Sequence, residues 1–66
     1  MAIKTAANHI GKKLKRWRLA RKLTLEKVAA LLEVTPMTVW RWEHEKAQPH
    51  DTQEFHIKRL IEGAAA

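Results

Sequence analysis

Apolar positions recur at helical intervals from Ile10 onward. Ile10, Leu14 and Trp17 are separated by four and three residues, and lysines and arginines fill most of the positions between them. Side chains with this spacing lie on one face of an α-helix. The pattern therefore predicts a first helix with an apolar face and a basic surface. Arg18 falls at the edge of the apolar face, where a charge needs an acidic partner.

The segment LTLEKVAALLEVTP predicts a second helix. Thr24 is a suitable N-cap, and Glu26 lies in the first turn, where the helix dipole stabilises an acid. The helix must end before Pro36, because proline disfavours helical geometry in the residue before it and has no N–H to donate. Residues 33–35 are therefore expected to form a tight turn. The predicted apolar face consists of Leu25, Val28, Ala29 and Leu32.

A third helix is predicted to begin at Pro36. Thr35 can cap it, and proline is best tolerated at the first helical position. Val39 and Trp42 are three residues apart and share a face, which predicts that both are buried. Trp40 lies on a flank of the same helix, so the two tryptophans do not form a pair.

A fourth helix is expected after the loop KAQPH. Asp51 is its predicted N-cap, Glu54 completes a capping box, and Gly63 ends the helix. Its predicted apolar face consists of Ile57, Leu60 and Ile61, with Phe55 near its start. No segment has the alternation of a strand, so the predicted fold class is all-α. We expect one domain over residues 9–62, with a flexible N-terminal arm at 1–8 and a disordered tail at 63–66.

The charge balance points to an anionic partner. Thirteen Lys and Arg against seven Asp and Glu give this basic protein of 66 residues a formal net charge of +6. Such a surplus on a small surface favours nucleic acid first and an anionic membrane second. The longest apolar run, VAALL, is far shorter than the roughly 20 residues of a membrane span. With no targeting segment and no cysteine, we expect a cytoplasmic protein.

Nothing in the chain has the pattern of a catalytic or metal site. The four histidines are His9, His44, His50 and His56. His50 and His56 do not share a helical face, and no cysteine is present to complete a metal site. We expect no enzymatic activity, no metal or other cofactor, and no small-molecule substrate.

Two short helices joined by a three-residue turn are the layout of a DNA-binding helix-turn-helix. Ala29 is small enough for the two helices to cross closely, and Val34 can fill the inside of the turn. Val39 and Trp42 would bury one face of the second of these helices. Its other face is then free to enter the major groove.

Residues 10–49 resemble the phage-repressor-like (Xre-type) helix-turn-helix family. The matching positions are Leu14, Arg18, Leu23, Thr24, Val28, Ala29, Val34, Val39 and Glu43. The resemblance implies a small four-helix, repressor-like domain, related to five-helix members of the family, that acts in transcription regulation. It also implies sequence-specific binding to double-stranded DNA in the nucleoid, an ion pair between Arg18 and Glu43, and a homodimer on a palindromic operator.

Three positions depart from the family pattern. Glu33 replaces the glycine of the turn, so either a non-glycine residue is left-handed there or the turn differs. Leu25 replaces a glutamine that contacts phosphate in many relatives, and Glu45 replaces a loop glycine. The last two substitutions change the usual phosphate contacts more than the fold.

The resemblance assigns base contacts to the outward positions of the third helix. These are Arg41, Met37, Pro36, Thr38 and Trp40. Arg41 is the main candidate, because a guanidinium binds guanine O6 and N7 together, whereas Met37 and Pro36 suit thymine methyl groups. Trp40 is expected either to pack on the first or last helix or to touch DNA. The candidate phosphate contacts are Thr24, the backbone N–H near Leu25, Thr35, Lys46, Lys12 and Lys13.

Two other functions remain open from the sequence. The same fold can serve as a coactivator-like or antitoxin-like module that binds a protein through apolar and Trp-rich surfaces. The segment GKKLKRWRLARKL can also be a membrane-active amphipathic helix, which requires its apolar face to be exposed. The apolar candidates for a dimer face are Phe55, Ile57, Leu60, Ile61 and Leu31.

Overall fold

A computed structural model describes residues 9–63 as four α-helices, with no strand in that range. The helices are α1 (Ile10–Ala20), α2 (Leu25–Leu32), α3 (Pro36–Glu43) and α4 (Asp51–Gly63). Both α3 and α4 pack against α1 and α2. The predicted helical class is confirmed. The predictions for residues 1–8 and 64–66 lie outside the described residues, and Gly63, assigned to the tail from the sequence, is the last residue of α4.

One core residue from each helix is fully buried at the centre of the domain. These residues are Leu14, Val28, Val39 and Ile57. Ile10, Ala29 and Trp42 complete the buried cluster, so the apolar faces predicted for the helices are the faces that pack. The expectation that Ile57 belongs to a dimer face is wrong, because no part of it reaches the surface.

The predicted caps of α2 and α3 are present. Thr24 Oγ1 accepts a hydrogen bond of 3.1 Å from Lys27 N, and Thr35 Oγ1 accepts one of 3.2 Å from Thr38 N. Each bond satisfies an N–H that has no partner within the helix. Pro36 is the first residue of α3, as its position after Thr35 predicts.

The predicted cap of α4 is wrong by one residue. Asp51 is already the first helical residue, and His50 precedes the helix. The reciprocal capping bond runs from His50 N to Gln53 Oε1 at 2.9 Å rather than from Asp51 to Glu54. Glu54 N donates to His50 O at 2.7 Å, which closes the first turn. The acids of the first turn therefore act through the helix dipole instead of as caps.

Three helices end with a non-glycine residue in the left-handed conformation. Lys22, Glu33 and Glu45 have φ values of 57°, 59° and 59° after α1, α2 and α3. The N–H of the residue after each left-handed position then bonds back across the last turn, as in a Schellman motif. These bonds are Leu23 N to Arg18 O, Val34 N to Ala29 O, and Lys46 N to Arg41 O. The turn between α2 and α3 therefore keeps its left-handed position although glutamate occupies it.

Candidate nucleic-acid interface

The third helix has one buried face and one exposed face. Val39, Trp42 and Glu43 are buried against the rest of the domain. Pro36, Met37, Trp40 and Arg41 are exposed. The residue spacing that produces this division was visible in the sequence.

An ion pair fixes the carboxyl end of α3 to α1. Arg18 Nε donates to Glu43 Oε2 at 2.8 Å and its Nη2 donates to Oε1 at 3.0 Å, while Nη1 donates to Leu23 O at 3.0 Å. The Glu43 side chain is 1% exposed and that of Arg18 is 13% exposed. The hydrogen bond to Glu43 raises the pKa of the Arg18 guanidinium, and partial burial opposes that rise. This is the pair that the family resemblance implies.

Arg41 is an exposed cation whose guanidinium has no hydrogen bond or ion pair to the rest of residues 9–63. It lies four residues after Met37, so the two side chains emerge from the same face of α3. An arginine in this position is free to exchange its water contacts for a planar acceptor pair such as guanine O6 and N7.

Four apolar side chains form a surface that we call the α2–α3 patch. Leu25, Pro36, Met37 and Trp40 line a shallow depression where the start of α2 meets α3. Trp40 is 37% exposed and stacks on the imidazole of His44, with ring centroids 4.1 Å apart and planes 23° apart. His44 Nδ1 also donates to Trp40 O at 2.9 Å. Trp40 therefore belongs to the exposed α3 surface.

Thr38 is occupied by the helix cap. Its hydroxyl shares a 2.8 Å hydrogen bond with the Thr35 hydroxyl, and its N–H donates to the same oxygen. The side chain is half-buried. Among the candidate base contacts, Thr38 is thus the one whose polar group already has a partner.

The candidate phosphate contacts fall into three places. Thr24 and the Leu25 N–H lie at the start of α2, and Thr35 lies at the start of α3. Lys46 is exposed just after α3. Lys12 and Lys13 are adjacent in sequence, but they lie on different sides of α1. Lys12 reaches the loop after α3, whereas Lys13 lies beside Ile61 and Glu62 of α4.

Glu45 joins the start of α1 to the end of α3. Its Oε2 accepts a hydrogen bond of 3.2 Å from His9 Nδ1 and lies 3.6 Å from Lys12 Nζ. The hydrogen bond from His9 lowers the pKa of the Glu45 carboxyl, desolvation opposes this, and the charge of Lys12 lowers the pKa further. Since all three side chains are exposed, the cluster orients the loop rather than stabilising a core.

Sequence reasoning missed Gly11 altogether. A Cβ added to this buried glycine would lie 1.9 Å from the carbonyl oxygen of Trp42. The backbones of α1 and α3 therefore touch at this point, and only glycine fits there. A glycine inside a helical pattern is the signal that could have indicated such a close approach.

Within residues 9–63, no three His, Asp or Glu side chains converge in a way that could hold a metal ion. In the same part of the chain, no helix is long and apolar enough to cross a membrane. Comparison with protein-family models, curated proteins and solved structures found no match to this chain.

Proposed function

We propose that this protein is the sequence-specific, double-stranded DNA-binding domain of a small transcriptional regulator, with α3 inserted in the major groove. The observation that carries the proposal is the exposed face of α3, on which the unpaired guanidinium of Arg41 projects beside an apolar patch. A short turn sets α3 against α2, which is the arrangement that helix-turn-helix proteins use.

Affinity and specificity come from different residues in this proposal. The N–H groups at the starts of α2 and α3, with Lys46, contact phosphates and fix the orientation of the domain. Arg41 reads a guanine through two parallel hydrogen bonds. The net charge of +6 accelerates the approach to DNA and supplies binding that does not depend on sequence.

The anchoring of α3 fixes the position from which Arg41 contacts its guanine. Val39 and Trp42 are buried beneath the helix, and Glu43 is held by two hydrogen bonds from Arg18. A recognition side chain on a rigid element loses little entropy in binding and is aimed before contact.

The proposal includes a homodimer that binds a two-fold symmetric operator. Its half-sites would lie about 34 Å apart, one turn of the double helix. The apolar residues available for a dimer contact are Leu31 and Phe55, which are half-exposed, and Leu60 and Ile61, which are partly buried.

The test is a selection from random duplex oligonucleotides, followed by binding measurements with Arg41→Ala. We expect a palindromic consensus containing a guanine, and a loss of about 1–3 kcal/mol, roughly 5- to 150-fold, for Arg41→Ala. The preference for guanine should be lost at the position that Arg41 contacts, and the preferences at the other positions should be unchanged. Arg59→Ala is the matched control, because it removes the same charge from α4, where Arg59 lies over the ring of Phe55.

The alternative is a protein-interaction module with the same fold. Three large apolar side chains outside the α2–α3 patch favour it, since Leu19, Leu31 and Phe55 are each half-exposed. A selection without any consensus, together with an Arg41→Ala variant that binds DNA like the parent, would favour this alternative over the DNA-binding proposal.

A further inference from the structure

We infer that the α2–α3 patch binds the C5-methyl group of a pyrimidine, within about two base pairs of the guanine that Arg41 reads. The methyl group belongs to thymine in unmodified DNA and to 5-methylcytosine in methylated DNA. This inference rests on the proposed function and adds to it the second chemical group that the domain recognises.

The patch is almost entirely apolar, and the one polar group among its side chains is the indole N–H of Trp40. Leu25, Pro36 and Met37 contribute hydrocarbon or thioether surface, and Met37 is 56% exposed. Thr38 is the nearest hydroxyl along the helix, and its oxygen is held by Thr35. A donor or acceptor of a base pressed against Leu25, Pro36 or Met37 would lose its water without replacement, which costs free energy.

Only one kind of chemical group in the major groove is a suitable partner for an apolar surface. Each base pair presents donors and acceptors there, and the one apolar group is the C5-methyl of a pyrimidine. Cytosine without a methyl group offers only an amino donor at this edge. An apolar patch on a recognition helix therefore discriminates by the presence of that methyl group.

The position of the patch ties this methyl group to the guanine. Met37 and Arg41 are one turn apart on the same face of α3, about 6 Å along the helix axis. Successive bases are about 3.4 Å apart along the duplex. The two side chains thus reach base pairs that are adjacent or separated by one. The unpaired charge of Arg41 next to the patch also favours DNA over an apolar protein segment as the occupant.

The experiment replaces each thymine of the selected duplex by uracil, which removes the methyl group and leaves base pairing intact. At one position per half-site we expect affinity to fall about fourfold, the effect of about 0.8 kcal/mol for one methyl-sized group. The same replacement should have no effect on the Met37→Ala variant and should keep its effect on Arg41→Ala. Leu19→Ala is the matched control, because Leu19 is 54% exposed on α1 and does not line the patch.

A second arm distinguishes the two sources of the methyl group. Cytosine is placed at the sensitive position and compared with 5-methylcytosine there. Recovery of about fourfold on methylation assigns the contact to the methyl group as such, whereas no recovery assigns it to thymine alone.

Two outcomes separate this inference from the function on which it rests. If the selection gives a consensus and Arg41→Ala loses binding, but uracil has no effect at any thymine, the inference is wrong and the proposed function stands. Equal sensitivity to uracil in the parent and in Met37→Ala would also overturn it, since the methyl group would then lie elsewhere. If no consensus is found, the proposed function fails and the inference fails with it.

Discussion

Arg18 is the residue that most directly holds the third helix in place. It donates two hydrogen bonds to Glu43 and one to a backbone carbonyl, so each of its three guanidinium nitrogens has an acceptor. Glu43 is almost completely buried, so solvent cannot readily replace these bonds. A charge in that position is expensive to leave unpaired, which makes the pair more important than a surface salt bridge.

Replacing Arg18 with alanine is expected to reduce the free energy of unfolding by about 3–5 kcal/mol, because it leaves the buried Glu43 carboxylate unpaired. A domain of this size has only about 3–10 kcal/mol of stability, so much of the variant should be unfolded. Urea unfolding followed by circular dichroism measures the effect.

The double variant Arg18→Met/Glu43→Met is the control for this prediction. It removes both charges and should be more stable than either single replacement. An Arg18→Ala melting curve that matches the parent would contradict the prediction.

At the scale of the helices, the contact between α1 and α3 depends on Gly11. The carbonyl of Trp42 occupies the space that a side chain at position 11 would need. Both elements are also linked through the Arg18–Glu43 pair and through the cluster around Glu45. The distance between these helices is therefore set mainly at Gly11 and at the Arg18–Glu43 pair.

Replacing Gly11 with alanine should favour the isolated helix, by about 1 kcal/mol, and yet destabilise the folded domain. The new Cβ meets backbone rather than a movable side chain, so α1 must shift away from α3. We expect a net loss of roughly 1–3 kcal/mol in thermal or urea unfolding.

Gly63 provides the matched control for Gly11. A Cβ at position 63 would meet nothing within 4 Å, so Gly63→Ala should leave stability unchanged or raise it slightly. If Gly11→Ala behaves like Gly63→Ala, the close approach of α1 to α3 is not as tight as described.

At the scale of the whole molecule, the three lysines that are candidates for phosphate contacts lie in different places relative to α3. Lys46 is exposed in the loop after α3, whereas Lys13 lies beside the end of α4. Lys12 lies near α3 but faces the carboxylate of Glu45, which neutralises part of its charge. Whether a lysine reaches a phosphate depends on its position in the fold and not on how many lysines the chain contains.

Each phosphate contact adds about −0.9 to the slope of log K against log salt concentration. We therefore expect Lys46→Ala to make the slope for DNA binding less steep by about one unit, with a similar loss of affinity on every sequence. Lys13→Ala removes the same charge and should leave the slope unchanged. Equal slopes for the two variants would show that position relative to α3 does not matter.

The helices and most of their ends were determined by the sequence itself. Apolar spacing identified the buried faces, and Thr24, Thr35 and Pro36 marked the starts of α2 and α3. These features depend on residues within one turn of each other, so local chemistry is sufficient to predict them. The start of α4 was misplaced by one residue, because Asp51 with Glu54 and His50 with Gln53 have the same three-residue spacing of a capping box.

The tertiary structure alone decided what lies between the helices. Gly11 faces a carbonyl 31 residues further along the chain, Glu45 meets His9, and Leu25 joins Met37 and Trp40 in one patch. The left-handed conformation of Glu33 likewise follows from placing Val34 against the core. None of these contacts follows from the spacing of residues along a single helix, because each depends on the angle and distance at which two helices cross. The sequence therefore determined which surfaces exist, and packing decided which of them meet.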